Sequence, residues 1–346
     1  MALDAQHLEV LMNILVIQTA FLGDAILTLP LIDKLHEKFS NAKIDVVAIP
    51  ATVPVFKMSP FVDTVFSFDK KKKQKSIIKT LLFGKRLRDK NYDLVVSPHR
   101  SSRSALIAKL TGAVKRIAFD TSSLKFLYTD KINYRKDFHE VKRNLSLVCD
   151  EKEISDWKKL PEIIIPDEDK SYVKKIIGEI ESNKLILMAP GSVWETKKWP
   201  SEYFAKIASV LKSKGFVIGI IGGKEDFNLG SDIIRNSSTD VINFCGKLTI
   251  PQSVELIGQA ALLVTNDSAP THMGVIANTT TLTIYTSTIP GFGFYPYNSG
   301  SSFISIKLPC KPCGIHGWNK CPLKHFDCGN KLLPDYVLSK IEKLLS

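Results

Sequence analysis

Short apolar runs and longer stretches with helical spacing alternate along most of the chain. Apolar runs at Asn13–Ile17, Lys43–Ile49 and Leu94–Ser97 predict strands, and helical spacing over Ala25–Phe39 and Ser76–Lys90 predicts helices between them. Strands that alternate with helices are typical of parallel sheets covered by helices on both faces. The first part of the chain is therefore predicted to be an α/β domain.

The pattern is interrupted near Asp150 and then begins again. Glu151–Lys159 is rich in charge, and Pro161 and Pro166 bracket a short apolar run, as expected of a boundary. A chain of 346 residues also fits two domains better than one. We expect an N-terminal domain over residues 12–155, a C-terminal domain over residues 165–330 and a final amphipathic helix within residues 331–346. The strands predicted in the second domain are Lys184–Met188, Phe216–Ile221, Ala261–Thr265 and Leu282–Tyr285, and the helices are Ser201–Lys214, Pro251–Gln259 and Ala269–Ala277.

The loop after the predicted strand Lys184–Met188 carries several groups that suit a phosphate. Gly191 lets the backbone approach a ligand closely, Ser192 offers a hydroxyl group, and Lys197 and Lys198 offer positive charge. Such groups just before a helix fit a pyrophosphate. A plain surface loop that carries lysines is the alternative.

A second segment, Thr265–His272, also ends a strand and opens a helix. Asp267 or Ser268 would cap this helix, and the free N–H groups at its start, where Ala269 stands, would favour a phosphate. His272 lies four residues after Ser268 and shares its helix face. The alternatives are an ordinary cap for Asp267 and a structural role for His272.

Polar residues also follow two strands of the first domain. Asp24 comes after the first strand, where a carboxylate could accept the proton of an incoming hydroxyl group if its pKa were raised. A helix cap is the alternative for Asp24. His99, Arg100 and Arg103 follow Leu94–Ser97 and would suit an anionic acceptor, although a solvated helix start explains them equally well.

The net charge of +12 points to an anionic partner such as phosphate groups, an acidic glycan or an anionic membrane surface. The densest cluster is Lys70–Lys73 with Lys75, which could act as a polybasic anchor; general surface basicity is the alternative. Nucleic acid is not expected, because no recognition module surrounds the charge. No apolar run reaches the ~18 residues of a membrane span, and the N-terminus lacks the order of a secretory signal. We expect a cytoplasmic protein that can associate peripherally with the inner membrane, and interpret residues 1–11 as an extension ahead of the fold.

Four of the six cysteines are crowded near the C-terminus. Cys310, Cys313, Cys321 and Cys328 could hold a structural zinc ion, with His316 and His325 as alternative ligands. The spacing lacks a second C-x2-C pair, so free or redox-labile thiols and disulfides remain alternatives. No catalytic role is predicted for this cluster.

Several segments, in their order along the chain, match the motifs of one known protein family. They are Ile14–Pro30 with its Leu-Gly-Asp turn, His139–Leu145, Ala189–Pro200, Asn266–His272, and Gly291–Pro296 with the cysteine-rich tail. With them the chain after Met12 resembles the ADP-heptose:lipopolysaccharide heptosyltransferases (glycosyltransferase family 9), and the last segment resembles their heptosyltransferase II branch. One departure is Thr286-Ser287-Thr288, where relatives often have Gly-Pro with a hydroxyl residue.

The resemblance implies an α/β protein with a GT-B fold, in which two Rossmann-like domains with parallel sheets face a cleft between the domains. It implies an ADP-L-glycero-β-D-manno-heptose donor on the C-terminal domain, a lipopolysaccharide inner-core acceptor on the N-terminal domain, inversion at the anomeric carbon and no cofactor for catalysis. Asp24 becomes the general base. The donor contacts become Ser192, Lys197, Asp267, Ser268, Ala269 and His272, with Glu225 reaching the ribose.

Other functions remain open from the sequence. A member of the same family could use another sugar donor or a protein acceptor. A nucleotide-sugar epimerase or hydrolase would need a group that activates water instead of an acceptor base. A non-catalytic sugar-nucleotide-binding protein would tolerate the loss of Asp24 or Lys197, and both residues are present.

Overall fold

Two parallel β-sheets, each of six strands, form the framework of the chain. The computed structural model describes residues 12–237 and 239–346, and the chain divides into two units, Met1–Ile164 and Ile165–Ser346. The α/β class with two parallel sheets is thereby confirmed. The interpretation of residues 1–11 as an extension lies outside the described residues.

The sheet of the first unit has the strand order β3-β2-β1-β4-β5-β6, and all neighbouring strands are parallel. The helices of this unit connect successive strands, except the last helix, which follows the last strand. The strands are β1 (Asn13–Gln18), β2 (Lys43–Ala48), β3 (Thr64–Ser67), β4 (Leu94–Ser97), β5 (Lys115–Phe119) and β6 (Asp130–Ile132), and the helices are α1 (Leu22–Ile26), α2 (Leu29–Lys38), α3 (Val53–Lys57), α4 (Ile77–Arg86), α5 (Ser102–Leu110) and α6 (Glu140–Leu145).

The sheet of the second unit has the order β12-β11-β10-β7-β8-β9, again with parallel neighbours. Its last helix packs on α8 and closes the core of this unit. The strands are β7 (Leu185–Ala189), β8 (Val217–Ile220), β9 (Val241–Asn243), β10 (Leu262–Asn266), β11 (Thr281–Tyr285) and β12 (Ser302–Ser305), and the helices are α7 (Asp167–Ile177), α8 (Ser201–Ser213), α9 (Phe227–Ser237), α10 (Ile250–Gly258), α11 (Ala269–Ile276), α12 (Asp327–Asn330) and α13 (Pro334–Leu345).

Both sheets therefore have the same topology, with the order of strands reversing in the middle. The reversal lies between β1 and β4 in the first unit and between β7 and β10 in the second. At such a point the connections leave the two central strands toward opposite faces, so a gap opens at their carboxyl ends. Open parallel sheets bind ligands there.

The central strands are buried on both faces, as expected of parallel strands covered by helices. Ile14–Ile17 of β1 and Leu185–Met188 of β7 have no exposed surface. Trp199 and Phe204 contribute to the core of the second unit, as do Val337 and Ile341 of α13. Rigid strands of this kind hold the loops at their carboxyl ends in fixed places.

The helix predicted over Ala25–Phe39 is in fact two helices, α1 and α2. The chain is interrupted at Leu27 and Thr28, and Pro30 stands in the first turn of α2, where the missing N–H group of a proline costs nothing. The Thr28 hydroxyl donates to the carbonyl oxygen of Asp24 at 2.8 Å and stabilises this break. The helical spacing is confirmed on both sides of this break, and the irregularity that Pro30 introduces in the pattern is the start of the second helix.

None of the helices in the described part of the chain has both the length and the apolar composition needed to cross a membrane.

Close packing of α11 on the second sheet yields a prediction about Gly274. A Cβ atom at Gly274 would collide with the Thr281 hydroxyl and lie 3.1 Å from Leu263 Cδ2. Gly274→Ala should therefore lower the free energy of unfolding by about 1–3 kcal/mol, as overpacking does. Urea denaturation followed by tryptophan fluorescence measures this.

Gly258→Ala is the matched control. Gly258 ends α10, and the nearest atom to an added Cβ is the carbonyl oxygen of Ala277 at 4.0 Å. Alanine there should leave the protein unchanged or stabilise it by up to about 1 kcal/mol. Equal losses for both variants would contradict the packing argument.

Candidate active site

The turn after β1 holds Asp24 in the first turn of α1. The Phe21 N–H group donates to Asp24 Oδ2 at 3.2 Å, so this carboxylate does cap the start of the helix. Gln18 Nε2 donates to the Thr28 hydroxyl at 2.9 Å, and together with the bond from Thr28 to the Asp24 carbonyl this fixes the turn. The cap uses one carboxylate oxygen of a side chain that keeps partial access to solvent.

Burial raises the pKa of Asp24 to about 6, and the negative charge of Glu140 acts in the same direction. The hydrogen bond from Phe21 and the positive charge of Arg100 lower the same pKa and only partly offset burial. The carboxylate is thus ionised at neutral pH and still basic enough to take up a proton. These are the properties that a general base requires.

His99 lies across the gap from the end of β1. Its Nδ1 atom is 2.8 Å from the Thr19 hydroxyl and 3.1 Å from the Ser104 hydroxyl. Burial lowers the pKa of His99 to about 4, and the charges of Lys70 and Arg100 add to this effect. His99 is therefore neutral at pH 7 and carries no charge that could attract an anion. Its hydrogen bond to Thr19 joins the carboxyl ends of β1 and β4.

The two arginines predicted near an anionic acceptor differ in their surroundings. The exposed Arg100 guanidinium lies 4.1 Å from the centre of the Tyr134 ring. Arg103 donates to the carbonyl oxygens of Lys75 at 2.6 Å and Lys70 at 3.4 Å. Arg103 thus holds the lysine-rich turn, and Arg100 is the arginine that retains an exposed charge.

A buried ion pair on α6 supports this first site and was not assigned from the sequence. Arg143 is 2% exposed and lies 2.7 Å from the Glu140 carboxylate. Asn144 Nδ2 donates to the carbonyl oxygen of Leu27 at 3.0 Å, which fixes α6 against the break between α1 and α2. Through these contacts Glu140 is held close enough to raise the pKa of Asp24.

In the second unit a single amide side chain joins the two central strand ends. Asn266 Nδ2 donates to the carbonyl oxygen of Pro190 at 2.7 Å, and Asn266 Oδ1 accepts from the N–H group of Trp199 at 3.1 Å. The Ser268 hydroxyl donates to the carbonyl oxygen of Gly191 at 3.3 Å. Asn266 therefore holds both ends of the loop Pro190–Pro200, a role that the sequence analysis missed.

Lys197 and Asp267 form an ion pair of 2.7 Å beside this amide. Asp267 is 7% exposed and also accepts from the Thr288 hydroxyl at 2.6 Å. Ser268 is the N-cap residue of α11, as predicted, although its side chain makes no capping hydrogen bond. Asp267 pairs with Lys197 instead. The ion pair fixes the ammonium group at the carboxyl end of β10.

His272 lies inside α11 and is 5% exposed. Burial lowers the pKa of His272 to about 3, and the charge of Lys197 contributes. Its Nδ1 atom has no hydrogen-bond partner among the described residues. A buried polar atom without a partner costs free energy, so a neutral imidazole in this state is suited to bind a ligand group.

The remaining predicted donor residues lie at the ends of β7 and β8. The Ser192 hydroxyl accepts from the Trp194 N–H group at 3.3 Å, and Glu225 is exposed. Its neighbour Asp226, which the sequence analysis did not single out, accepts from the Gly223 N–H group at 2.9 Å. The Asp226 carboxylate fills the space that a Cβ atom at Gly191 would need, which explains the glycine there.

The cysteine-rich tail packs on the loop that carries Lys197. Trp318 N–H donates to the Thr196 hydroxyl at 2.7 Å, and Thr196 N–H donates back to the carbonyl oxygen of Trp318 at 3.0 Å. The Thr286 hydroxyl donates to the carbonyl oxygen of Thr196 at 2.6 Å. The unusual Thr286-Ser287-Thr288 segment is fully buried and supplies two of the hydroxyl groups that hold Thr196 and Asp267.

The zinc hypothesis for the tail finds no support in the geometry. All six cysteines are free thiols. Over residues 12–237 and 239–346, no three His, Cys, Asp or Glu side chains converge on a point that could hold a metal ion. The residues concerned are Cys310, Cys313, Cys321 and Cys328, together with His316 and His325.

Comparison with known sequences identifies one family. Residues 80–319 match the profile of glycosyltransferase family 9 (heptosyltransferase). A protein of Haemophilus influenzae named lipooligosaccharide heptosyltransferase 2 is 26% identical over 298 residues, covering 81% of this chain and 85% of that protein. A protein of the same name from Campylobacter jejuni is 24% identical over 342 residues, covering 96% of this chain and 99% of that protein.

Two solved structures share the fold. A family 9 glycosyl transferase from Veillonella parvula superposes with a TM-score of 0.85 at 22% identity, covering 100% of this chain and 98% of that chain. The ADP-heptose lps heptosyltransferase II of E. coli gives a TM-score of 0.78 at 23% identity, covering 96% and 98%. Likeness to these enzymes confirms the predicted GT-B fold class.

The raised pKa of Asp24 predicts how stability depends on pH. A folded-state pKa above the ordinary value means that folding penalises the charged form, so stability falls as the pH rises through about 6. Asp24→Asn removes this penalty and keeps an oxygen that can cap α1. The stability of the variant relative to wild type should increase by up to about 3 kcal/mol between about pH 4 and pH 8.

Urea denaturation across this pH range measures the difference. Asp137→Asn is the control, because Arg135 holds the pKa of the exposed Asp137 below its usual range. That variant should not gain stability with rising pH. A pH-independent difference between wild type and Asp24→Asn would contradict the raised pKa.

Proposed function

Since the chain belongs to glycosyltransferase family 9, the heptosyltransferase family, we propose that it transfers heptose from ADP-L-glycero-β-D-manno-heptose to the inner core of lipopolysaccharide. The names of the Haemophilus influenzae and Campylobacter jejuni relatives support the reaction. The name of the E. coli structure supports ADP-heptose as the donor. We assign the acceptor to the domain of residues 12–155 and the donor to the domain of residues 165–330.

The observation that carries this proposal is the Asp24 carboxylate at the carboxyl end of β1, with a pKa of about 6. In the proposed reaction Asp24 takes the proton of an acceptor hydroxyl group. The acceptor oxygen forms a bond to the anomeric carbon of heptose as the bond from that carbon to ADP breaks, and ADP leaves with the electron pair. Attack from the face opposite the leaving group inverts the anomeric centre.

Lys197 and the start of α11 are proposed to stabilise the departing ADP. The leaving diphosphate gains negative charge in the transition state, where a fixed ammonium group is most effective. Asp267 positions Lys197 through the ion pair of 2.7 Å. With positive charge supplied by the protein itself, we propose that catalysis needs no metal cofactor.

The other donor contacts follow from the same arrangement. Ser192, Ser268 and the backbone of Ala269 lie along the two strand ends that flank Lys197 and are proposed to bind the diphosphate. His272, on the same helix as Ala269, is proposed as a further donor contact. Glu225 is proposed to reach the ribose, and His99, Arg100 and Arg103 to line the acceptor site.

We also propose that the enzyme works at the cytoplasmic side of the inner membrane, since its acceptor is part of a lipid. No nucleic-acid partner is proposed.

The general-base assignment predicts the behaviour of Asp24→Asn. Wild-type protein incubated with ADP-heptose and truncated lipopolysaccharide acceptors should add one heptose to one acceptor, detected by mass spectrometry. Asp24→Asn should slow this transfer by about 100- to 10,000-fold, because a positioned base contributes that much. Binding of ADP, measured by calorimetry, should stay within about twofold.

The pH profile separates a base from a structural role. Wild-type kcat/KM should fall as the pH drops below about 6, with the titration of Asp24. Transfer by Asp24→Asn at the wild-type rate would remove Asp24 as the base. If product forms only with another sugar nucleotide or only with a protein acceptor, the proposed donor or acceptor is wrong. The protein would still be a glycosyltransferase.

The donor site predicts a contrast between two neighbouring lysines. Lys197 is largely buried against Asp267, whereas Lys198 pairs with the exposed Glu195. Lys197→Ala should weaken ADP binding by about 10- to 100-fold, as expected when a charged hydrogen bond is lost. Lys198→Ala is the matched control and should change it by less than about threefold, since exposed ion pairs contribute little.

Calorimetric titration with ADP measures both variants, and circular dichroism checks that both are folded. Equal ADP affinity for Lys197→Ala and wild type would exclude Lys197 from the diphosphate site.

A further inference from the structure

Helix α4 is apolar on the face that points away from the protein as well as on the face that packs. Its inner face lies on α5, where Gly84 permits close approach: a Cβ atom there would lie 2.9 Å from Leu110 Cβ. Thr80 is fully buried on the same side, and the centre of the Phe83 ring lies 5.0 Å from that of Phe68 in the core. These contacts define which side of α4 is covered.

The outer face of α4 carries large apolar side chains in solvent. Ile77 is 52% exposed, Ile78 is 66% exposed and Leu82 is 52% exposed. Ile78 and Leu82 are four residues apart and so share one helix face. A surface helix normally places polar residues there, so large apolar side chains exposed one turn apart indicate an interaction site.

A turn of exposed lysines leads directly into this helix. The backbone N–H groups of Lys71 and Lys72 donate to Asp69 Oδ1 at 3.1 and 2.9 Å, and Arg103 holds the carbonyl oxygens of Lys70 and Lys75. The backbone of the turn is thus fixed by its own contacts. The side chains of Lys71, Lys72 and Lys73 extend into solvent.

Every charged residue between Asp69 and Asp89 is basic. No acidic residue occurs in residues 70–88, and the basic residues there are Lys70–Lys73, Lys75, Lys79, Lys85, Arg86 and Arg88. A second copy of the chain that docked through the same face would bring these charges together, which is unfavourable. An anionic surface would neutralise them.

We propose that α4 and the lysine turn before it form a docking surface for anionic phospholipid, with Ile77, Ile78 and Leu82 entering the interface and the lysines contacting head groups. Basic residues beside an exposed apolar helix face are the combination by which helices lie in the plane of a membrane surface. The inference deepens the proposed function, because it rests on an acceptor that is anchored in lipid.

The docking surface is joined covalently and by hydrogen bonds to the first candidate site. Lys70 Nζ donates to the carbonyl oxygen of Thr19 at 2.7 Å, and Thr19 lies between β1 and Asp24. Burial lowers the pKa of Lys70, and the charges of Arg103 and Lys71 add to that effect. Lipid docking at α4 would therefore hold the turn that carries Asp24 near the membrane surface.

Vesicle co-sedimentation tests this surface without any sugar nucleotide or acceptor. The wild type should bind vesicles of phosphatidylcholine with phosphatidylglycerol in low salt and bind pure phosphatidylcholine only weakly. Ile78→Ser/Leu82→Ser should weaken binding to the anionic vesicles by at least about 10-fold, because two partly exposed aliphatic side chains no longer enter the interface. Lys71→Ala/Lys72→Ala/Lys73→Ala should weaken it by roughly fivefold per lysine and reduce its dependence on salt.

Leu333→Ser/Tyr336→Ser is the matched control. These side chains are 45% and 63% exposed at the start of α13, in the other unit and outside the lysine turn. This variant should bind vesicles as the wild type does. Equal vesicle binding by Ile78→Ser/Leu82→Ser and wild type would overturn the proposal. A loss of binding in Ile78→Ser/Leu82→Ser that is no larger than the loss in the control variant would also overturn it.

Two further readouts distinguish lipid docking from self-association of the chain and from a loss of catalysis. Sedimentation velocity should show the wild type as a monomer, like Ile78→Ser/Leu82→Ser. A wild-type dimer that this variant does not form, together with unchanged vesicle binding, would assign the face to a second copy of the chain. Transfer to a delipidated acceptor should be the same for Ile78→Ser/Leu82→Ser and wild type, and transfer to vesicle-bound acceptor should fall. If neither protein transfers heptose to any acceptor, the proposed function fails while the vesicle result still decides the docking surface.

Discussion

The reversal of strand order in the middle of each sheet is the constraint on which the rest of the structure depends. It leaves a gap between the carboxyl ends of β1 and β4, and an equivalent gap between β7 and β10. Each gap is bridged by side chains that the strands hold rigidly, Thr19 with His99 in the first unit and Asn266 with Pro190 in the second. Asp24 and Lys197, which we propose as the reactive groups, lie in the loops that follow these bridged strand ends.

Burial near these gaps determines which groups carry charge. It lowers the pKa values of His99 and His272, so both imidazoles are neutral at pH 7. It raises the pKa of Asp24 without preventing ionisation at neutral pH. Lys197 forms an ion pair of 2.7 Å with Asp267. Desolvation thus has opposite effects on the two kinds of group: it favours neutral imidazoles at His99 and His272 and raises the pKa of the Asp24 carboxyl group.

The sequence predicted the central strands well because their continuous apolar runs depend only on local composition. It also located Asp24 and Lys197, since glycine and proline mark the loops around them. Asn266, Thr288 and Asp226 were missed because their roles arise from partners far along the chain, such as Pro190 and Gly191. The short strands β5, β6, β9 and β12 were also missed, since they lie toward the sheet edges, where fewer of their residues need to be apolar.

The orientation of α4 could not be predicted from the sequence either. Helical spacing predicted the helix, but composition alone could not say which of its apolar residues face the core, because Gly84 and Thr80 occupy the buried side while Ile78 and Leu82 face solvent. Phe83 also packs on the buried side, whereas Ile78 and Leu82 are more than half exposed. The outer residues of α4 are therefore better explained by a surface that the helix meets than by the stability of the unit. Since the same segment contacts Thr19 through Lys70, a surface bound at α4 would lie close to the turn that carries Asp24.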